Sequence, residues 1–296
     1  WSLSEHHAYD PAERALHRGD GQTIRAEALP PDARPIAGTR RRGVGGGRGS
    51  ENFPKDGEDA IGANIDYLGD YVRAPDGNLY VHNGLNRNDI FRISRDGKIF
   101  HFAGNGTKGG VPTGDGGPAK DAGLGTVSAL AAMPDGSLLI AGYGDNYETQ
   151  QIRRVTPDGS KIETIAGTTN RQAPLGDGKP AREAHLSVIN DMVAAPDGSI
   201  YWVERWSAIN GWKGRLRRIG PDGIVTTVAG AGDTAPSTEG APAADIWLGS
   251  DPRGVAIGPD GSIYVALGLE KMVVKIAPDG TATRFAGRGV RTETGT

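Results

Sequence analysis

One tripeptide recurs through the chain at nearly constant intervals. The stretches "APDGNLYV" (74–81), "MPDGSLLI" (133–140), "APDGSIYW" (195–202) and "GPDGSIYV" (258–265) place Asp76, Asp135, Asp197 and Asp260 at spacings of 59, 62 and 63 residues. A second series follows each: "RDGKIF", "PDGSKI", "PDGIVT" and "PDGTAT", with Asp96, Asp158, Asp222 and Asp279. A third closes each unit with "FAG", "IAG", "VAG" and "FAG" at Gly104, Gly167, Gly230 and Gly287, and a further "IAG" ends at Gly38. Self-similarity at this period marks one supersecondary unit stacked several times.

Within a unit the pattern reads as four strands. In the last one, "GVAIG" is strand a, "SIYVAL" strand b, "MVVKIA" strand c and "TATRFAG" strand d. Alternation in Ile-Tyr-Val and Val-Lys-Ile suits half-buried strands. The two Asp-Gly turns join a to b and c to d. Pro presets φ, Asp bonds its own backbone and Gly supplies the positive φ. The turn aspartates are therefore turn formers rather than ligands or catalysts. Four-stranded sheets repeated about an axis make a β-propeller, so the fold class is all-β.

Composition agrees. The 47 Gly and 19 Pro make 66 of 296 residues, against an average Gly usage of about 7%. A chain of this length buries enough surface to fold without disulfide or metal, and there is no Cys. A net charge of −3 gives no general attraction to nucleic acid or to an anionic membrane. No apolar run approaches the roughly 20 residues of a membrane span. The start, "WSLSEHHAYD", has neither an initiator Met nor the profile of a signal peptide, and reads as the interior of a longer chain.

The units exceed common propeller repeats by the segment between strand d and the next strand a. There "KDGEDAIGANI" (55–65), "GDGGPAKDAGL" (114–124), "GDGKPAREAHL" (176–186) and "TEGAPAADIWL" (238–248) recur. An acid (Asp56, Asp115, Asp177, Glu239) precedes an apolar residue (Ile65, Leu124, Leu186, Leu248) by nine positions. A phosphate loop would instead carry Gly-Lys-Ser/Thr and occur once. The segment is a turn and short helical hook, its Leu or Ile anchored under the next blade.

The order "GDGGPA…L…APDGSIYV…IRRVTPDG…TIAG" resembles the NHL-repeat propellers, over residues 37–287. The leader "WSLSEHHAYDPAERALHRGDG" (1–21) resembles the segment entering the propeller of teneurins and bacterial YD-repeat (Rhs-type) proteins. That resemblance implies a non-catalytic scaffold or interaction module of a large secreted or cell-surface protein, bacterial in type. A YD-repeat shell, enclosing a toxin or supporting adhesion, would lie beyond Thr296. Its expected partners are that shell and a cell-surface protein. No cofactor, nucleic acid or membrane insertion is expected, and the chain is taken as a monomer. Residues 1–38, with strand candidates "SLSEHHAY", "ALHRGD" and "QTIRAEAL", make a degenerate first blade. Residues 39–287 make four blades, and 288–296 begin another loop. Five blades follow if the leader closes the ring; six would need more sequence.

Strand parity puts all Asp-Gly turns on one face and the b–c and d–a loops on the other. The b–c loops differ from blade to blade, and two carry aromatics: Tyr143 and Tyr147, and Trp206 and Trp212. Trp and Tyr in loops on a rigid scaffold are common interface anchors. Arg40, Arg41 and Arg42 in "TRRRGVGGGRG" add a basic loop to that face. These seven residues are the expected partner-binding set. No catalytic set is expected. Six positions before the strand-b aspartates stand Asp70, Ala129, Asp191 and Gly254. Asp70 and Asp191 are the weak candidates for a central metal, since two carboxylates fall short of a hard-cation cage. They also carry the alternative, a metal-dependent propeller lyase or hydrolase. The six His form no ligand motif; His82 and His101 fall on different strands.

Overall fold

The computed structural model describes residues 54–63, 65, 68–84, 87–107, 109–144, 150–170, 175–208, 211–237 and 239–289, and the backbone of 7–10, 15–18 and 23–25. In the leader, β1 (His7–Asp10), β2 (Ala15–Arg18) and β3 (Thr23–Arg25) pair as an antiparallel sheet in that order, overlapping the three expected strands.

The Asp-Gly turns form as their chemistry dictates. Asp76, Asp135, Asp197 and Asp260 each accept the backbone N–H two residues on, at 2.9–3.0 Å, and the following Gly has φ between +79° and +86°. Asp158, Asp222 and Asp279 do the same at the c–d turns. Gly104, Gly167, Gly230 and Gly287 end strand d at φ between +82° and +99°. A Cβ at Gly167 would collide with the Gln150 carbonyl oxygen, so the position requires glycine on both counts.

Among the described residues after the leader, these turns fold the chain into four meandering blades. The first has β4 (Glu58–Asp59), β5 (Leu68–Arg73), β6 (Leu79–Asn83), β7 (Asp89–Ile93) and β8 (Lys98–Ala103). The second has β9 (Thr126–Ala132), β10 (Leu138–Tyr143), β11 (Gln150–Val155) and β12 (Ile162–Ala166). The third has β13 (Val188–Ala194), β14 (Ile200–Ala208), β15 (Gly211–Ile219) and β16 (Val225–Ala229). The fourth has β17 (Ala241–Pro242), β18 (Pro252–Ile257), β19 (Ile263–Leu267), β20 (Met272–Ile276) and β21 (Thr281–Ala286). The described ladders between these strands are antiparallel, with β5, β9, β13 and β18 as neighbouring inner strands. This is a β-propeller arrangement.

Alternating side chains bury both faces of a middle blade. Leu138 and Ile140 pack toward the first blade with Tyr80, Ile90 and Phe102, while Leu139 and Ala141 pack toward the third with Met192, Ile200 and Trp202. Val203 and Leu216 then join Val255, Val265 and Val274 in the next seam. The hook leucines plug these seams: Leu124, Leu186 and Leu248 are fully buried.

The hook's path corrects one expectation. The d–a segments do not stay on the face opposite the Asp-Gly turns. Each crosses to the outer edge of the next blade and forms a one-turn 3₁₀ helix beside that blade's c–d turn. The N–H groups of Ala60, Ala119, Ala181 and Ala243 donate to the carbonyls of Gly97, Gly159, Gly223 and Gly280 at 2.8–3.0 Å. Edge bonds join Gly116 and Gly117 to Ile162, and Gly178 and Lys179 to Val225. The repeat thereby satisfies an outer strand edge that would otherwise invite foreign pairing. The motif's acid fixes it. Asp115 accepts from Arg153 Nη2 at 2.6 Å and from the Thr164 N–H at 3.0 Å. Asp177 accepts from Arg217 and from Thr227 Oγ1, and Asp56 from the His101 N–H and Lys120 Nζ.

Candidate functional site

Asp70 and Asp191 lie at equivalent points of the first and third inner strands, each beside an irregularity in its pairing with strand b. Asp70 Oδ2 accepts the Leu130 N–H of the second blade at 2.6 Å, and its Oδ1 accepts the Tyr71 N–H at 2.8 Å. Asp191 repeats this with Val255 of the fourth blade and Met192, both at 2.8 Å. The neighbouring blades carry Ala129 and Gly254 at the same position, and small residues leave room for the reaching carboxylate. An ideal Cβ on Gly254 would sit 3.6 Å from Asp191 Oδ2. The alternation of acid and small residue thus builds two clamps between blades. Burial raises the pKa of Asp70 against the pull of its two amides. Burial, with a contribution from the Asp70 charge, pushes Asp191 up to about 6. Among the described residues no three or more His, Cys, Asp or Glu side chains gather as a metal-binding group.

The third blade holds a buried ionic network that sequence reading missed. Glu204 is fully buried. Its Oε2 accepts from Trp202 Nε1 at 3.0 Å and from the Ser187 N–H at 3.2 Å. Its Oε1 accepts from Arg217 Nη1 at 3.1 Å, and Arg215 Nη2 lies 3.0 Å away. Arg217 continues to the Leu175 carbonyl and Asp177, tying the network to the hook. The signal was present as acid and Trp on strand b facing "RLRR" on strand c. The first blade has a smaller counterpart: His101 lies 3.3 Å from buried Asp89, and His82 bonds Asn88 at 3.2 Å. Burial lowers the His82 pKa, while Asn88 and the Asp89 charge raise it.

Trp206 and Trp212 are not loop residues. The b–c connection of the third blade is a long hairpin, with Trp206 paired to Lys213 and Ser207 to Trp212. Its two strands keep pairing past the last residues held by β13 and β16. The stretch was misread because diagonal cross-strand partners hold it, which single-segment periodicity does not reveal. The Arg205 guanidinium lies 4.9 Å from the Trp212 ring centre, and the Arg215 guanidinium 4.8 Å from that of Trp206. Arg205 also lies 3.8 Å from Asp251 of the fourth blade, which pairs with Arg253 at 2.5 Å. Trp212 remains 47% exposed. The hairpin therefore presents a fixed aromatic–guanidinium surface. Tyr143 is half-buried at the end of β10. Tyr147, Arg40, Arg41 and Arg42 lie outside the described residues. No helix among the described residues is long and apolar enough to cross a membrane.

No family model matches the chain. Mouse Teneurin-1 is 25% identical over 305 residues, covering 98% of this chain and 10% of that protein, so the chain spans about a tenth of its curated relative. Similar solved structures include an auxiliary nutrient binding protein from Bacteroides ovatus, with 14% identity and a TM-score of 0.48 over 76% of this chain and 48% of that one. Another is virginiamycin B lyase from Staphylococcus aureus, with 15% identity and a TM-score of 0.43 over 92% of this chain and 61% of that one. In sequence the chain is similar to a stretch of a teneurin.

Proposed function

We propose that this chain is an NHL-type propeller serving as a non-catalytic docking module of a larger secreted or cell-surface protein of the teneurin or YD-repeat kind. The long hairpin of the third blade is its contact surface. The single observation that carries this reading is the Arg205–Trp212 stack on that hairpin. Trp and Arg are the side chains most enriched at interface hot spots, and here both are pre-positioned by Asp251 and by strand pairing. Similarity to mouse Teneurin-1 along almost the whole chain supports the larger context. At the centre, both oxygens of Asp70 and of Asp191 accept backbone N–H groups. That assignment favours a structural role over turnover.

The test is a photo-cross-linking residue at position 207, the strand partner of Trp212, introduced into the full protein as its cells make it. Adducts to a segment outside residues 1–296, or to a second protein, are expected, and Arg205→Ala should reduce them. Adducts confined to this chain's own blades would overturn the docking role.

A further inference from the structure

Between the third and fourth blades, near their b–c end, lies a cavity of about 460 Å³ beside the hairpin, which contributes Lys213 to it. Its lining includes Lys213, Asp233, Trp247, Glu270, Met272 and Arg284. This size is within the range of about 300–1,000 Å³ typical of small-ligand pockets. Trp247 stands just before the anchor Leu248, where the sequences of the other three hooks have Asn64, Gly123 and His185. Its indole is thus particular to this seam, not a requirement of the hook.

Glu270, in the turn between β19 and β20, is only 5% exposed. Its Oε1 accepts the Ser250 N–H at 3.1 Å. Its Oε2 is buried with no hydrogen-bond partner. The loop is shaped around this carboxylate: Gly249 has φ +69°, and a Cβ there would collide with it. Lys271, next in the turn, holds φ 52°, a rare conformation for a side-chain-bearing residue. A buried carboxylate oxygen left unpaired costs free energy, and a chain that builds a cradle for one invites a donor. Lys213 and Arg284, the cations among the described lining residues, pair with groups other than Glu270. Lys213 Nζ lies 3.6 Å from Asp233, and Arg284 Nη1 donates to the Arg288 carbonyl at 2.9 Å.

We infer that this cavity binds a guanidinium or primary ammonium group on a short alkyl stem, the cation drawn to the Glu270 carboxylate and the stem lying against Trp247 and Met272. Trp is the best ring for attracting such a cation, and the adjoining thioether accommodates irregular apolar stems. The inference stands on the cavity and its carboxylate and is independent of the docking role.

The purified chain is titrated by calorimetry and ligand-observed NMR with n-butylguanidinium. n-Pentanol and butyrate serve as the uncharged and anionic comparators. Saturable binding of the cation alone is expected. Glu270→Gln keeps an oxygen for the Ser250 N–H and should weaken binding by about tenfold or more. Trp247→Leu should weaken it severalfold. If either variant fails to fold, the comparators on the unmodified chain still decide. Tighter binding of Gly-Gly-Arg-Gly-Gly-amide than of n-butylguanidinium would assign the cation to a protein side chain, and weaker binding to a free small molecule. Equal affinity for pentanol or butyrate, undiminished binding by folded Glu270→Gln, or no saturable binding at about 20 mM would overturn the inference.

Discussion

Asp191 Oδ2 accepts the Val255 N–H at 2.8 Å across the boundary between the third and fourth blades. One carboxylate therefore joins two sheets that share no β-ladder, 64 residues apart in sequence. The bond has a cost, because it keeps an acid in a poorly solvated place beside Asp70.

That cost sets a pH dependence. With its folded pKa pushed up to about 6 from 3.8, Asp191 makes the native state bind more protons than the unfolded chain between those values. Its stabilisation is present below the unfolded pKa and is lost as pH rises through the folded one, by at most about 3 kcal/mol. Asp70 acts in the same direction. Asp115, held low by its amide and Arg153 bonds against the pull of burial, acts oppositely, below its unfolded value. Relative to Asp191→Asn, the unmodified chain should lose stability in urea unfolding as pH rises from 4 to 6.5, a difference that sets aside His82 and the low-pKa aspartates, which act the other way. A stability difference between the two chains that stays constant across the window would contradict the assignment.

A clamp and a metal site respond differently to added ions. Thermal unfolding with about 1 mM Ca²⁺ or Mn²⁺ should leave Tm unchanged, because a ligand that does not bind the native state cannot stabilise it. A Tm rise that Asp70→Asn and Asp191→Asn both abolish would instead assign the pair to a metal and revive the lyase or hydrolase alternative.

The buried network should be sensitive to loss of one partner. Arg217→Met removes a cation from fully buried Glu204 and a tie to the hook, and should cost about 3–5 kcal/mol in urea unfolding. Arg153→Met should cost less, because its partner Asp115 is half exposed and can rehydrate. Equal losses would mean that burial of the carboxylate is not what matters.

Much of the architecture was legible because it is local. An Asp-Gly turn depends on bonds within four residues, so Asp76 and its repeats could be read directly. The anchor leucines were also readable, since Leu124, Leu186 and Leu248 recur at a fixed distance from an acid. What failed to show was contact between segments. Nothing near Asp191 indicates that it reaches Val255 over Gly254, and nothing near Trp212 indicates that Arg205 lies against it. The route of the hook to the next blade's Gly159 or Gly223 carbonyl was hidden for the same reason. Glu270 gave no signal, since one acid in a turn reads as solvated.

Trp212 separates contact from stability. Trp212→Ala loses one exposed cation–π pair, worth about 0.5–1 kcal/mol, so Tm should barely move. Partner cross-linking through the hairpin should nevertheless fall strongly. A large drop in Tm would show that the hairpin serves the blade rather than a partner.

The most direct measurement is the intact mass and peptide map of the native product from the cells that make it. We expect a protein several times the mass of this chain, with Tyr-Asp repeat peptides following Thr296. A product close to the mass of this chain alone would contradict the docking-module account, and the central aspartates would then need examination as chemistry.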